Sequence, residues 1–325
     1  MTSDPRPFRL AAVLNAAGPF LGLLLVIALF SLSAEVRPYF LSGANFKIIL
    51  TQTVVVAICA LGMTMIIVGG GIDLSVGSVV ALSSVAGATL LVRDAPPAVA
   101  AMATVCVAAI VGCLNGLIIS RIRLMPFIVT LGMMGIARGL AKWISNNQAV
   151  NFPESPINGI MALNAPDRFF PPPHGVWVAV ILAVIMAVVM RQTVFGRFIF
   201  AIGSNETAAR LSGVRVERQK LWIYTLAGVL FGIAGLMQLS RLTQGDPTVA
   251  IGLELDVIAA VVIGGASLSG GSGSILGSMI GALIMATLRN GSNQMGWPTY
   301  MQEIIIGVII LLAVGLDRLR RRRNG

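Results

Sequence analysis

The chain has 325 residues, of which 56% are hydrophobic and 11% charged, with a net charge of +10. A soluble domain carries about 25% charged residues, so too few polar groups are present to cover a water-facing surface. The basic residues flank apolar stretches instead of forming a stripe with interleaved aromatics, which points to a lipid bilayer and away from nucleic acid.

Ten helical crossings are expected, near residues 18–33, 47–68, 73–92, 97–120, 124–143, 175–191, 220–241, 250–266, 272–289 and 302–317. Their basis is a set of charge-free windows: Ile48–Ile72, Leu74–Val92, Ala95–Ser120, Phe169–Met190, Leu221–Ser240 and Val257–Leu288. Each reaches or nearly reaches the roughly 20 apolar residues that a helix needs to cross a bilayer. The expected fold is all-α, a polytopic integral membrane protein with one transmembrane domain over residues 1–325. Residues 17–45 read as the first span and an outer loop. Gly18–Leu32 lacks an A-x-A cleavage site and so reads as a span, not a removable signal.

Orientation follows from the basic residues. With the N-terminus inside, fifteen of the 23 Lys and Arg fall in the cytoplasm: Arg6, Arg9, Arg121, Arg123, those of loop 191–220 and those of the tail 318–325. The eight others are Arg37, Lys47, Arg93, Arg138, Lys142, Arg168, Arg241 and Arg289. Both termini are then cytoplasmic. The long loop 145–173 lies outside, holds six of the fifteen prolines and carries only Glu154, Asp167 and Arg168 as charges. In the inner loop 191–220, SNETAARLSGV reads as a short helix capped by Asn205 and ended by Gly213. Such a helix either rests on the membrane surface or docks another protein.

Two glycine-rich breaks interrupt the apolar pattern, near 69–71 and 264–273. VGGGIDLSVGS (68–78) aligns without gaps on VIGGASLSGGS (262–272), pairing Val68 with Val262, Gly70 with Gly264, Gly71 with Gly265, Leu74 with Leu268, Ser75 with Ser269 and Ser78 with Ser272. Asp73 falls opposite Ser267. Glycine-interrupted hydrophobic segments in corresponding halves point to a transport path. Irregular backbone at membrane depth persists only where it is buried in protein or lines water, so the break is expected to border the route for solute. Gly69, Gly70, Gly71, Asp73, Ser75, Asn115, Gly264, Gly265, Ser267 and Asn290 are therefore the candidate path or hinge residues. Asp73 either caps the helix that resumes or lines the path. Glu254 and Asp256 are first-turn residues or path carboxylates. Asn115, Asn290, Asn293 and Gln294 either join helices or bind a hydroxylated solute. For Arg138 three readings stay open: snorkelling outward, pairing with a carboxylate, or facing a polar cavity.

Little chemistry is available to the chain itself. A P-loop needs a lysine after glycine, and Lys47, Lys142 and Lys220 all lack one. His174 is the lone histidine, and Cys59, Cys106 and Cys113 sit inside predicted spans without a C-x-x-C pair. No catalytic residue, metal site or cofactor is expected.

GMTMIIVGGGIDLSVGSVVAL (62–82) closely resembles the hallmark segment of bacterial ABC-transporter permeases of the ribose and xylose type. AIGSNETAARLSGV (201–214) and LELDVIAAVVIGGASLSGGSGSILGSMIGALI (253–284) match the same family in the same order, and the similarity runs from about residue 46 onward. The resemblance implies a permease subunit in the bacterial inner membrane that pairs with a second permease, identical or not. It would receive a sugar or related polyhydroxylated solute from a periplasmic binding protein and be driven by a cytoplasmic ATP-binding subunit. TAARLSG (207–213) is similar to the looser EAA-x-x-x-G pattern through which importer permeases engage their ATPase, with Thr207 where that pattern has glutamate. Glu206, Thr207, Ala208, Ala209, Arg210 and Gly213 are accordingly the expected coupling residues. An ion-coupled secondary transporter is the alternative, distinguished by uptake that follows an ion gradient without an ATPase; an integral membrane enzyme ranks third.

Overall fold

The structure is a computed structural model that describes residues 6–163 and 170–324. For residues 6–17, 310, 313, 314 and 316–324 only the backbone is described. Arg168 and Asp167 lie outside the described residues, and Arg6, Arg9 and the tail arginines lie where side chains are not described.

Each of the ten expected crossings is a helix. In chain order the helices are α1 (Arg6–Ser31), the short α2 (Arg37–Phe40), α3 (Gly43–Val68), α4 (Val76–Val92), α5 (Pro97–Leu117), α6 (Pro126–Ile144), α7 (His174–Gln192), α8 (Val194–Ser204), α9 (Glu206–Leu211), α10 (Val216–Leu242), α11 (Leu253–Ile263), α12 (Ile275–Gln294) and α13 (Thr299–Asn324). A π-helical turn, Ile118–Ile122, extends α5. Of these, α2 and α8 were not anticipated. Both are too short to cross a bilayer and lie in segments read as loops. The one strand pair among the described residues joins Val150–Asn151 to Gln244–Gly245.

Local sequence explains most helix starts. Pro97 and Pro126 occupy first-turn positions, where a missing N–H costs nothing. Ser42, Thr193, Asn205 and Ser274 accept a backbone N–H at the starts of α3, α8, α9 and α12. Among the described residues, five helices are long and apolar enough to cross a membrane by length and composition, but they are buried very differently. The apolar window of α3 is 94% buried and that of α10 is 72%, against 22% for α7 and 28% for α6. The first two form the centre of the bundle. The latter turn Phe127, Ile128, Ile136, Ile181 and Val184 outward, as lipid-facing helices do.

Close approach of the inner helices depends on small residues. Gly112 and Gly116 of α5 lie against Gly228 and Leu221 of α10, so that a methyl at Gly228 would stand 3.0 Å from the Gly112 Cα. Both helices carry the G-x-x-x-G spacing, 112/116 and 228/232, that lets backbones pack in a bilayer. Gly281 of α12 is pressed against the Ala260 backbone of α11 in the same way.

The two breaks end their helices with the same geometry. Gly69 and Gly264 cap α3 and α11, and Gly70 (φ 84°) and Gly265 (φ 92°) take the left-handed turn that follows. Gly71 N–H then donates to Ile66 O, as Ala266 N–H does to Val261 O. The structural pairing is thus Gly69 with Gly264 and Gly70 with Gly265, one residue away from the ungapped alignment. Before the next helix starts, at Ser75 and Ser274, the second break is longer. The alignment of Asp73 on Ser267 is therefore not kept, because identity of small residues in a glycine-rich segment does not specify backbone register.

Candidate functional site

The first break is packed in protein. Asp73 is 2% exposed, and its Oδ1 accepts from Ser75 N–H and from Ser75 Oγ–H at 2.7 and 2.6 Å. This is an Asx turn placed ahead of α4. Ser75, not Asp73, is the residue at the cap position, which corrects the expectation that Asp73 itself caps the helix. Asn115 of α5 donates to Ser75 Oγ at 3.1 Å, so the structure brings Asp73, Ser75 and Asn115 into one buried cluster. Thr130 of α6 accepts from Leu74 N–H at 3.1 Å and donates to Ile72 O at 3.2 Å. A side chain at Gly71 would collide with the Tyr224 hydroxyl of α10. The irregular backbone is thereby satisfied by neighbouring helices.

The second break meets the first directly. Gly271 N–H donates to Val68 O at 2.9 Å, and Ser267, 2% exposed, accepts from Gly270 N–H at 2.9 Å. Gly203, at the end of α8, wedges into the same point. A methyl there would run into the Val68 carbonyl and stand 2.6 Å from the Gly271 nitrogen. One added at Gly270 would lie 3.1 Å from the Gly70 Cα. Three segments distant in sequence therefore touch backbone to backbone, at a spot no side chain fits. One of them continues straight into α9.

Within α9, Asn205 Oδ1 accepts from Ala208 N–H at 2.9 Å, and Gly213 takes a left-handed φ of 86° just beyond the helix. Glu206, Thr207, Ala208 and Arg210 are exposed, but Ala209 is buried against Ile202 and Val216. Arg210 is hydrogen-bonded within the chain to Glu217 and, at 3.3 Å, to Glu206. Lys220 reaches Glu206 at 2.7 Å. The Arg210 guanidinium holds the Glu217 carboxyl below the usual carboxylate range. The sequence reading omitted Leu211, which stands 85% exposed at the end of the helix. Its signal was a leucine set between the polar Arg210 and Ser212.

At the other end of the bundle, beside the segments 158–163 and 243–253, lies a cavity of about 780 Å³ between α3, α10, α11 and α12. None of the ten sequence-derived path residues lines it. Its polar wall includes Thr51, Gln52, Gln238, Arg241, Asp256 and Arg289. Asp256, with its side chain 6% exposed, pairs with Arg289 of α12 at 2.7 Å. Arg138 shapes the rim by donating to Pro247 O and Val249 O, each at 2.7 Å; it holds loop carbonyls, which is none of its three expected roles. Asn290 accepts from Gln294, which also donates to Asn45 of α3 at 2.7 Å, and Asn293 accepts from Gln302 of α13 at 2.8 Å. These amides join helices. Asp256, expected as a first-turn residue or a path carboxylate, does line this void; Gln238 was not expected, because position in an apolar run does not reveal which face meets a void.

Residues 45–314 match the family described as "Branched-chain amino acid transport system / permease component". The ribose import permease protein of Escherichia coli K12 is 39% identical over 295 residues, which cover 91% of this chain and 92% of that protein. The ribose import permease protein of Bacillus subtilis is also 39% identical, over 98% of this chain and 97% of its own. The L-arabinose ABC transporter permease protein of Azospirillum brasilense is 35% identical over 96% and 90%. No solved structure matches the chain. A match along most of the chain, on a helical bundle whose hallmark segments form the two hydrogen-bonded breaks, means that this protein belongs to that permease-component family and is a multi-pass membrane subunit of an ABC-type transporter.

Proposed function

We propose that the chain is the translocating subunit of an ATP-driven importer for a sugar or related polyhydroxylated solute, which a periplasmic binding protein delivers. ATP is hydrolysed on a separate cytoplasmic subunit, and a second permease subunit, identical or related, completes the membrane part. The α8–α9 end faces the cytoplasm with both termini, and the cavity end faces out. The names of the relatives, permeases for ribose, L-arabinose and D-allose, support a sugar over the amino acid of the family description. So does the cavity, where the one carboxylate among the described lining residues is paired with a guanidinium.

One observation carries the coupling: the exposed helix α9 is joined through Gly203 to the contact between both breaks. A push on α9 by the ATPase reaches that contact through one short rigid helix. Leu211, exposed and outside the bundle, is the docking side chain. Leu211→Asp should leave insertion and folding intact while abolishing co-purification of the ATPase and solute uptake in membrane vesicles. Wild-type levels of both would place docking elsewhere. In a background lacking Cys59, Cys106 and Cys113, single cysteines at Ser204 and Ser155 should label from opposite sides of the membrane, and labelling from one side would overturn the orientation.

A further inference from the structure

The wall of the large cavity has hydrogen-bonding capacity that the protein does not use. Gln238 of α10 lines the cavity, is 4% exposed, and makes no hydrogen bond to any described residue. A primary amide carries two donors and an acceptor with two lone pairs, and a buried amide without a partner is rare in folded proteins. The Asp256–Arg289 pair is also incomplete. Asp256 Oδ2 meets Arg289 at 2.7 Å, while Asp256 Oδ1 and Arg289 Nε have no partner and lie buried behind the wall, open to a solute only if the pair shifts. Arg289 keeps 36% of its side chain open and lines the cavity, as Asp256 does.

We propose that this cavity is a transit site for an uncharged, polyhydroxylated solute, with the Gln238 amide and the Asp256–Arg289 pair contacting its hydroxyls. The assignment rests on the transport reading above and adds where the solute is held and by what. A hydroxyl both donates and accepts, so neighbouring hydroxyls on one ring meet an amide or a carboxylate–guanidinium pair with donor against acceptor on both sides. The volume, about 780 Å³, falls within the range of small-molecule sites and accommodates a monosaccharide together with water. A cation is disfavoured, because it would meet two guanidinium groups and have to displace Arg289 from Asp256.

What the wall lacks is equally informative. Among the described residues no Phe, Tyr or Trp lines the cavity. Aromatic faces supply much of the contact energy in tight sites, and the described wall offers aliphatic side chains and exchangeable hydrogen bonds in their place. A conduit requires this: binding favourable enough for entry and weak enough for departure. Thr51 and Gln52 on α3 face the Gln238 wall and complete the polar lining. Because α11 and α12 each carry one partner of the ion pair, solute contact falls on the two helices that lead to the second break.

The test uses the assembled transporter, with its ATPase and binding protein, in proteoliposomes. Gln238→Cys, in a background without the three native cysteines, is alkylated with a small hydrophilic methanethiosulfonate. D-ribose, L-arabinose and D-allose are the probes, with D-gluconate as the anionic and L-leucine as the zwitterionic comparison. At least one of the three sugars is expected to slow modification several-fold, gluconate and leucine are not, and a cysteine at Ser155 should react equally in all cases. Gln52→Cys on the facing helix provides the same readout should the first variant fail to assemble. Gln238→Leu, which removes the amide at similar volume, should reduce uptake several-fold with unchanged ATPase association. If sugar is accumulated normally by Gln238→Leu and no sugar slows alkylation at either position, the transit site lies elsewhere and the transport reading stands. Protection by gluconate or leucine alone overturns the solute class. A transporter that accumulates no sugar at all removes the transport reading, and this inference with it.

Discussion

The two ends of the bundle differ in what meets there. At the cavity end α3, α10, α11 and α12 present side chains to a void of about 780 Å³, with a carboxylate, two guanidinium groups and four amides among the described residues of its wall. At the α8–α9 end the breaks after α3 and α11 meet through backbone, Gly271 N–H on Val68 O, with Gly203 closing the remaining space. Side chains can rotate, hydrate and exchange partners at small cost, whereas two backbones in contact either stay or separate. One end therefore suits recognition of a mobile solute. The other suits a seal with two discrete arrangements, since packed interfaces tend to be bistable and not continuously deformable.

Substitution of equal chemical size should expose that difference. Gly203→Ala adds a methyl against the Val68 carbonyl, and neither backbone can yield without breaking the Gly271 bond. Overpacking of this kind costs about 1–3 kcal/mol. The variant is expected to melt lower in detergent and to lose uptake. Ile251→Ser, on the cavity wall but 73% exposed, should change stability by no more than about 0.5 kcal/mol. Equal melting of the two variants would erase the distinction between the ends.

An effect on stability of similar size is expected at Asp73. Asn keeps a side-chain oxygen for the Ser75 N–H and hydroxyl, while Ala removes it. Asp73→Ala should cost about 1–3 kcal/mol, the penalty for leaving buried donors unmet, and Asp73→Asn a fraction of that, read from thermal unfolding. If both variants fold as the wild type does but neither transports, the charge itself belongs to the path and the sealed end is not merely structural. Wild-type transport by both would leave Asp73 without either role.

The smallest effect concerns the surface network around α9. Glu217 has its carboxyl held low by the Arg210 hydrogen bond, so its contribution is present above the ordinary glutamate range. It fades as pH falls through the lowered value. Exposed pairs of this type are weak and salt-screened. Hydrogen-exchange protection of α9, taken relative to the intrinsic rate at each pH, should fall modestly in acid or in high salt, with α3 and α10 unaffected. No change in α9 under either condition would mean that the buried Ala209, packed on Ile202 and Val216, holds the helix alone.

How much of this was legible depends on the range of the interaction concerned. Ten helices, two glycine breaks and the capped helix after Asn205 were readable because each follows from local rules: apolar run length, glycine turns and a side-chain oxygen ahead of an apolar stretch. Asp73, Ser75 and Asn115 were chosen separately and meet in one cluster. The cavity was not legible. Gln238, Asp256 and Arg289 come from three helices, and hydropathy averages over all faces of a helix without marking the one that meets a void. For the same reason Ala209, one of the expected coupling residues, faces inward, while Leu211 stands exposed.

By itself, then, the sequence determined a membrane-embedded helical bundle with no nucleotide-binding lysine, because those properties depend on composition and on residues close in the chain. Tertiary structure alone decided that Val68, Gly203 and Gly271 touch and that Asp256 finds Arg289. It also decided that the breaks pair one residue out of their apparent alignment. Backbone register and side-chain facing are set by packing between helices far apart in sequence. Many glycine-rich or apolar segments satisfy the same local rules, and only the contact itself selects one arrangement.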